Sequence, residues 1–303
     1  MVIAKMKLNR IKDTREDKAF YFMVMIVLGI LFLLILYPLI YVISSSFSSP
    51  WAVSTGRVVL WPVDFSLEGY KAVFSNRMIG IGYYNTVIYT VFGTFINVCM
   101  TMIAAYPLAC SRLPGKKLLM FLFTFTMLFG GGMIPNYILI RNLGMLNTRW
   151  SMIIPGAITV YNMIITRTFI MNSIPGELQE AAEIDGASDI QYLWHCVLPL
   201  SKAVIAVITL FYAVGHWNAY FNAFLYLTDS SLFPLQIVLR DILLSNMIDP
   251  SVTMDETIMA ARLGLAELLK YSLIIVSSLP VMCIYPFIQK YFIQGVMIGS
   301  IKG

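Results

Sequence analysis

The sequence predicts an all-α integral membrane protein with six transmembrane helices, and three observations carry that prediction. Of the 303 residues, 59% are hydrophobic and only 12% are charged, with a mean hydropathy of +0.78. Soluble domains sit near ~45–50% apolar and ~25% charged. Six apolar runs approach the ~20 residues that a helix needs to cross ~30 Å of hydrocarbon. The ten-residue alternation of a closed β-barrel, the other way to span a bilayer, is missing.

Taken in order, the spans fall near residues 20–43, 83–108, 117–139, 151–171, 201–226 and 270–290. Residues 1–19 form an N-terminal segment holding Lys5, Lys7, Arg10, Lys12, Arg15 and Lys18. The apolar run that follows is too long for a signal-peptide core and lacks an A-x-A site, so it reads as a retained anchor. Six spans put both termini on one side. With the N-terminus cytoplasmic, the inside collects 13 Lys and Arg and the outside eight, the latter spread over many more loop residues. The short loop with Arg112, Lys116 and Lys117 is the sharpest vote for that orientation. The +5 net charge thus comes from membrane-proximal cations and speaks for lipid, not nucleic acid.

Two long loops then fall outside, at about 44–82 and 227–269. The second contains Phe233 to Leu244, apolar at helical spacing, and Glu256 to Leu269, which also reads as helix. Such a loop suits a cap over a channel mouth, a contact with an external protein, or a compact lid packed on its own membrane domain. Pro38, Pro107, Pro135, Pro155, Pro280 and Pro286 lie in or beside spans, where each removes a backbone hydrogen bond and can kink a helix. Kinks suit a moving gate and are equally ordinary in static bundles. Cys99, Cys110, Cys196 and Cys283 are scattered without CxxC or metal-ligand spacing, and read as free thiols.

Between the fourth and fifth spans lies a water-compatible segment, 172–200, whose carboxylates far outnumber its cations. It reads as two short helices. Pro175 suits a first turn, and Glu177, Glu180 and Glu183 follow along one side, with Leu178, Ala181 and Ala182 on the other. Gly186 is a natural helix stop. Ser188 and Gln191 form a capping box for the second helix, whose apolar stripe is Ile190, Leu193, Trp194 and Val197 before Leu198-Pro199. A short helix with carboxylates on one face and alanines on another can enter a groove on a basic partner; a solvated, self-capped loop accounts for the same pattern. A membrane channel with such a loop points to transport driven by a soluble partner.

The fifth span offers Tyr212, His216 and Tyr220 at four-residue steps, with Asn218 and Asn222 as an adjacent stripe. Aromatic faces and amides suit sugars, and intramembrane polar groups face a bundle interior or a water-filled path. Tyr212, Asn218 and Asn222 are the candidate pathway-lining residues, interhelical hydrogen bonding being the alternative. Asn85 and Asn97 of the second span, and His216, read as packed residues.

At this point the sequence resembles a family. Glu180-Ala181-Ala182-Glu183-Ile184-Asp185-Gly186-Ala187-Ser188, followed by Leu198-Pro199, is similar to the EAA motif of ABC importer permeases of the carbohydrate-uptake, MalG-like branch. The resemblance extends through Gly131 to Pro135, Asn142 to Asn147, Pro155-Gly156, Ile174-Pro175, Gly215 to Asn218 and Gly295 to Gly303, most like the subgroup for complex or acidic oligosaccharides such as uronate- and pectin-derived sugars. Relatives follow the Trp-Asn of the fifth span with an acidic residue and a later proline, where this chain has Ala219 and Ala223; no sugar contact is carried over by motif.

The resemblance implies a type I ABC importer transmembrane domain over 20–290, with a cytoplasmic tail, 291–303, in a bacterial cytoplasmic membrane. It implies a second permease subunit in a heterodimer, two ATPase subunits, and an extracytoplasmic solute-binding protein met by the 227–269 loop. Glu180, Ala181, Ala182, Asp185 and Gly186 would couple to the ATPase, and the tail around Gly295 and Gly299 would run along its interface. ATP and Mg would be used by the partner, with no cofactor bound here. Pro114-Gly115-Lys116-Lys117 lacks the GxxxxGK[ST] phosphate loop, and no catalytic constellation is present, so this chain is expected to be a translocation subunit, not an enzyme. An ABC permease for peptides or another solute is the alternative on the residues alone. An ion-coupled transporter would want titratable groups at mid-membrane depth, of which the spans hold almost none.

Overall fold

The computed structural model describes residues 14–110, 113–245, 264–284 and 286, and no strand occurs among them. The helices run α1 (Arg15–Ser46), α2 (Pro50–Ser54), α3 (Glu68–Ser75), α4 (Arg77–Ala109), α5 (Lys116–Leu128), α6 (Met133–Asn142), α7 (Trp150–Ile153), α8 (Val160–Ser173), α9 (Gly176–Ile184) and α10 (Asp189–Tyr192). A π turn (Leu193–Val197) leads to α11 (Leu198–Leu200), then α12 (Lys202–Trp217), α13 (Phe221–Tyr226), α14 (Leu235–Ser245) and α15 (Gly264–Ile284).

Of the six expected spans, α1, α4 and α15 are unbroken helices long and apolar enough to cross a membrane. The other three are interrupted, a correction to the continuous segments read from hydropathy. The third turns through 112° between α5 and α6 at Gly130-Gly131-Gly132, where no side chain restrains the backbone. The fourth is split into α7 and α8 at Pro155-Gly156, since proline cannot continue the hydrogen-bond ladder. The fifth ends at Trp217 and resumes at Phe221, and the run Asp189–Leu200 meets it at 82°. The described part of the sixth, Gly264–Ile284, is already helical ahead of the expected 270, where Leu265, Ala266 and Leu268 continue its apolar pattern. Hydropathy registers apolar length and is blind to a local breaker. Pro38 and Pro107 sit inside α1 and α4 without dividing them.

The chain forms two compact units, 1–71 with 252–275 and 72–251 with 276–303. In the first, α1 starts with a capping box between Thr14 and Asp17, and backbone and side-chain hydrogen bonds from Thr14 hold the Asp17 carboxyl below its ordinary pKa. None of its most apolar window is buried within the protein, as suits a helix in contact with lipid. At its end Ser44, Ser45, Ser46 and Ser48 are buried. Ser44 Oγ donates to Leu60 O at 2.6 Å, and Ser48 Oγ accepts from Val63 N at 3.0 Å. These bonds tie the following loop down over Ala52, Val53, Val58 and Leu268.

In the second unit α4 is the axis, with α12, α8 and α14 against it. Gly93 makes the tightest approach: a Cβ there would sit 2.4 Å from His216 Nε2, so only glycine admits the imidazole. His216 is accordingly a packed residue, as expected. Trp217 Nε1 donates to Ser277 O at 3.0 Å, and Tyr83 Oη donates to Val276 O.

Loop 227–245 is pinned along α4. Asn85, fully buried, donates from Nδ2 to Ser231 O at 2.7 Å and Phe233 O at 3.1 Å. Tyr89 Oη donates to Leu232 O at 2.8 Å, and Thr86 Oγ1 accepts from Leu235 N at 2.8 Å. Leu235, Ile237 and Val238 of α14 are buried. Residues 227–245 thus pack on their own domain; 246–263 lie outside the described residues.

Candidate functional site

The acidic segment folds as its residues dictate. Pro175 precedes α9 as its cap, just ahead of the first turn. Gly186 has φ +77°, the left-handed conformation that ends a helix. The capping box of Ser188 and Gln191 forms, with Ser188 N donating to Gln191 Oε1 at 2.8 Å.

The facing of α9 differs from the simple two-sided expectation. Glu177, Leu178, Glu180, Ala181, Ile184, Asp185 and Gly186 are all exposed. Ala182 is half-buried and packs against a core that includes Tyr106, Met163 and Tyr192; Gln179 also faces inward. Ala182 is therefore the inner foot of the segment, while Glu180, Ala181, Asp185 and Gly186 form an outer face. Leu178 does not turn inward because the inner seat is Gln179 and Ala182, one position on. Behind α9 lies a cavity of about 220 Å³, lined by residues including Tyr106, Cys110, Gln179 and Tyr192. Burial raises the pKa of the Tyr192 hydroxyl.

Sequence reasoning missed Ile184. It is 87% exposed at the tip of α9, and an apolar side chain that finds no seat on its own domain is the signal. The second helix also departs from its expected stripe: Val197 is fully buried, but Ile190 and Trp194 are 69% and 65% exposed. The cause is the π turn, in which Leu198 N bonds to Leu193 O. A wider turn shifts the register of the side chains. Pro199, lacking an N–H, could not extend a regular helix through this point.

At the far end of α4 from Asn85, Arg167 Nε donates to Leu108 O at 2.8 Å. Lys116 Nζ donates to Ala109 O at 3.2 Å and Cys110 O at 2.9 Å. Cations at a helix C-terminus satisfy its free carbonyls and complement its dipole.

A second feature lies within the helices. Asn97, Thr159, Asn162, Tyr212, His216 and Asn222 are among the residues lining a cavity of about 420 Å³. Of the three candidate pathway residues, Tyr212 and Asn222 meet there. Tyr212 is buried and also serves as interhelical glue, its hydroxyl 2.7 Å from Thr101 Oγ1 and accepting from Thr159 N at 3.0 Å. Asn218 donates back to Val214 O at 2.9 Å and is not among the lining residues. Asn97 donates to Gly156 O at 3.4 Å, while its Oδ1 is buried without a partner. No group of three or more metal-binding side chains occurs among the described residues. The tail residues Gly295 and Gly299 lie outside the described residues.

No family model matches the chain. It is 38% identical over 301 residues to Protein LplC of Bacillus subtilis (strain 168), covering 98% of this chain and 99% of that one. It is 41% identical over 267 residues to the polygalacturonan/rhamnogalacturonan transport system permease protein YtcP of the same organism, covering 88% and 92%. Its fold matches a solved chain of a bacterial ABC transporter involved in the import of the acidic polysaccharide alginate, with a TM-score of 0.84, 36% identity, and coverage of 93% of this chain and 99% of that one.

Proposed function

The chain belongs to the permease subunits of carbohydrate ABC importers, and from that premise we propose that it moves acidic oligosaccharides across a bacterial cytoplasmic membrane by alternating access. The sugar class follows from the named substrates of its relatives, a polygalacturonan/rhamnogalacturonan system and an alginate importer. The chain's own cavity, whose lining includes the amides of Asn97, Asn162 and Asn222 beside Tyr212, offers polar groups to hydroxyl-rich cargo. A second permease, two ATPase subunits and an extracytoplasmic binding protein complete the machine. ATP and Mg are used by the ATPases and not by this chain.

The exposed acidic face of α9 carries the coupling role. Glu180, Ala181, Asp185 and Gly186 present a short helix that ends in a tight glycine turn, and Ile184 adds an apolar side chain for a groove. Ala182 is the foot through which a push on α9 reaches the core around Tyr106. Because an equilibrium shifts only by differential binding, the ATPases must grip α9 more tightly in the outward-facing state. The segment and both termini lie on the cytoplasmic side in this reading, the tail around Gly295 and Gly299 runs along the ATPase, and loops 44–82 and 227–269 face the binding protein.

The test is assembly and transport. Glu180→Ala and Gly186→Val are expected to weaken copurification of the ATPase or leave ATP hydrolysis without uptake. Normal uptake and normal ATPase association in both variants would refute the role. With Cys99, Cys110, Cys196 and Cys283 replaced by serine, a cysteine placed at position 184 should react with an impermeant maleimide only in inside-out vesicles; labelling from the outside of intact cells reverses the orientation.

A further inference from the structure

The loop that follows α1 carries a surface that serves neither the coupling face nor the cavity. Val59, Leu60 and Trp61 are consecutive and exposed, at 55%, 44% and 80%. The loop beneath them is folded: Val58 is buried with Ala52 and Val53 against Leu268 and Tyr41. The guanidinium of Arg57 lies 4.1 Å over the ring of Trp51, and both residues are exposed. A run of exposed apolar residues on a folded loop is unfavourable in water and marks a contact.

The depth of this strip follows from its ties to α1. Lys18 is the last charged residue of that helix, and no other charge occurs before Arg57. With Lys18 at one boundary, a ~30 Å hydrocarbon core crossed at ~1.5 Å per residue ends near Leu39. Tyr37 and Tyr41 stand there, stacked with ring centroids 6.4 Å apart, where interfacial aromatics belong. Ser44 is one turn further, within the headgroup layer, and its Oγ donates to Leu60 O at 2.6 Å. That bond returns Leu60 to the depth of Ser44, with Val59 and Trp61 on either side of it. Tilting α1 lowers all three towards the hydrocarbon. Phe65 stands further out, since Ser66 N donates to Phe47 O at 2.9 Å.

This depth and this chemistry select lipid as the occupant. None of the most apolar window of α1 is buried within the protein, so the strip continues the exposed apolar surface of that helix. Trp suits the headgroup level, with an apolar ring and a polar N–H. Arg presents a planar fork that matches phosphate.

We propose that Val59, Leu60 and Trp61 anchor the end of α1 in the headgroup layer of the leaflet away from the N-terminus, with Arg57, steadied on Trp51, meeting lipid phosphate. The anchor depends on α1 spanning a bilayer and is independent of the cargo and of the coupling role.

The test uses the complete transporter, its native cysteines replaced by serine, in vesicles of phosphatidylethanolamine and phosphatidylglycerol. An environment-sensitive fluorophore is attached in turn to Val59→Cys, Trp61→Cys and Phe65→Cys, and quenched by nitroxide-bearing lipid or by aqueous iodide. Lipid quenching should exceed iodide quenching at 59 and 61, and the lipid-to-iodide ratio should fall at 65. Val59→Cys keeps Trp61 in place and carries the test where loss of the indole weakens the fold. Arg57→Gln, read through the label at 59, should lower the ratio about fivefold, the scale of one cation at an anionic surface. An unchanged ratio there overturns the phosphate contact while the insertion stands. Iodide quenching that exceeds lipid quenching at both 59 and 61 overturns the anchor. Protection from both quenchers assigns the strip to a partner subunit, and protection that needs the solute-binding protein assigns it to that protein; either result overturns the anchor as well.

Discussion

α9 and α14 are both short amphipathic helices outside the long apolar segments, and they meet opposite fates. α14 buries Leu235, Ile237 and Val238, and four polar side chains, Asn85, Thr86, Tyr89 and Asn147, hold the chain leading into it. Asn147 contributes at positive φ, its Oδ1 accepting from Thr228 N at 3.0 Å and Asp229 N at 2.8 Å. α9 has no buried residue, projects Ile184 into solvent, and rests on Ala182 above a hollow. Amphipathicity alone does not distinguish a lid from a docking element. What distinguishes them is whether the neighbouring helix supplies partners for the backbone between elements, as α4 does for 231–235 and does not for α9.

That contrast can be broken from either side. The largest expected effect is at the pinned helix: Asn85→Leu strands the carbonyls of Ser231 and Phe233 and the Nη2 donor of Arg149, 3.3 Å from Asn85 Oδ1, at about 1–3 kcal/mol for a buried group left unsatisfied. A lowered Tm of the purified complex is the readout, and a wild-type melt would mean that the pinning is not needed. Next is Gly93→Ala, whose Cβ meets the His216 ring. Overpacking costs about 1–3 kcal/mol, and the flexible ring can yield part of it. His216→Ala should rescue the variant in a double-mutant cycle if the two really share that space. Asn147→Ala should cost about 1 kcal/mol, the net worth of an exposed turn bond, and should raise hydrogen exchange at Thr228 and Asp229. The smallest effect on stability belongs to Ile184→Asp. It should leave the melt within about 0.5 kcal/mol, as for a surface change, while ATPase copurification falls. A large drop in Tm there would place Ile184 in a packed seat and undo the contrast.

Local signals in the chain foretold much of the candidate site. Gly186 stops α9, and Ser188 with Gln191 caps α10, because those preferences act over three or four residues and need no distant partner. The apolar runs and the acidic segment between them were equally legible. Burial of Tyr212 against Thr101 was not, since the two are 111 positions apart in sequence. The outward rotation of Ile190 and Trp194 was hidden too. A π turn ahead of proline changes the register that a helical wheel assumes.

By itself the sequence determined the membrane class, the proline at 155 where the fourth segment divides, and the caps that frame the acidic helix. These are decided by transfer of side chains from water and by backbone sterics, both of which act within one segment. Tertiary structure alone decided which amphipathic helix is a lid and which is free, that His216 fits only because Gly93 faces it, and that Tyr212 and Asn222 share a cavity while Asn218 does not. Those outcomes depend on which hydrogen-bond donors and which empty volumes another helix brings alongside, and no window of consecutive residues contains that information.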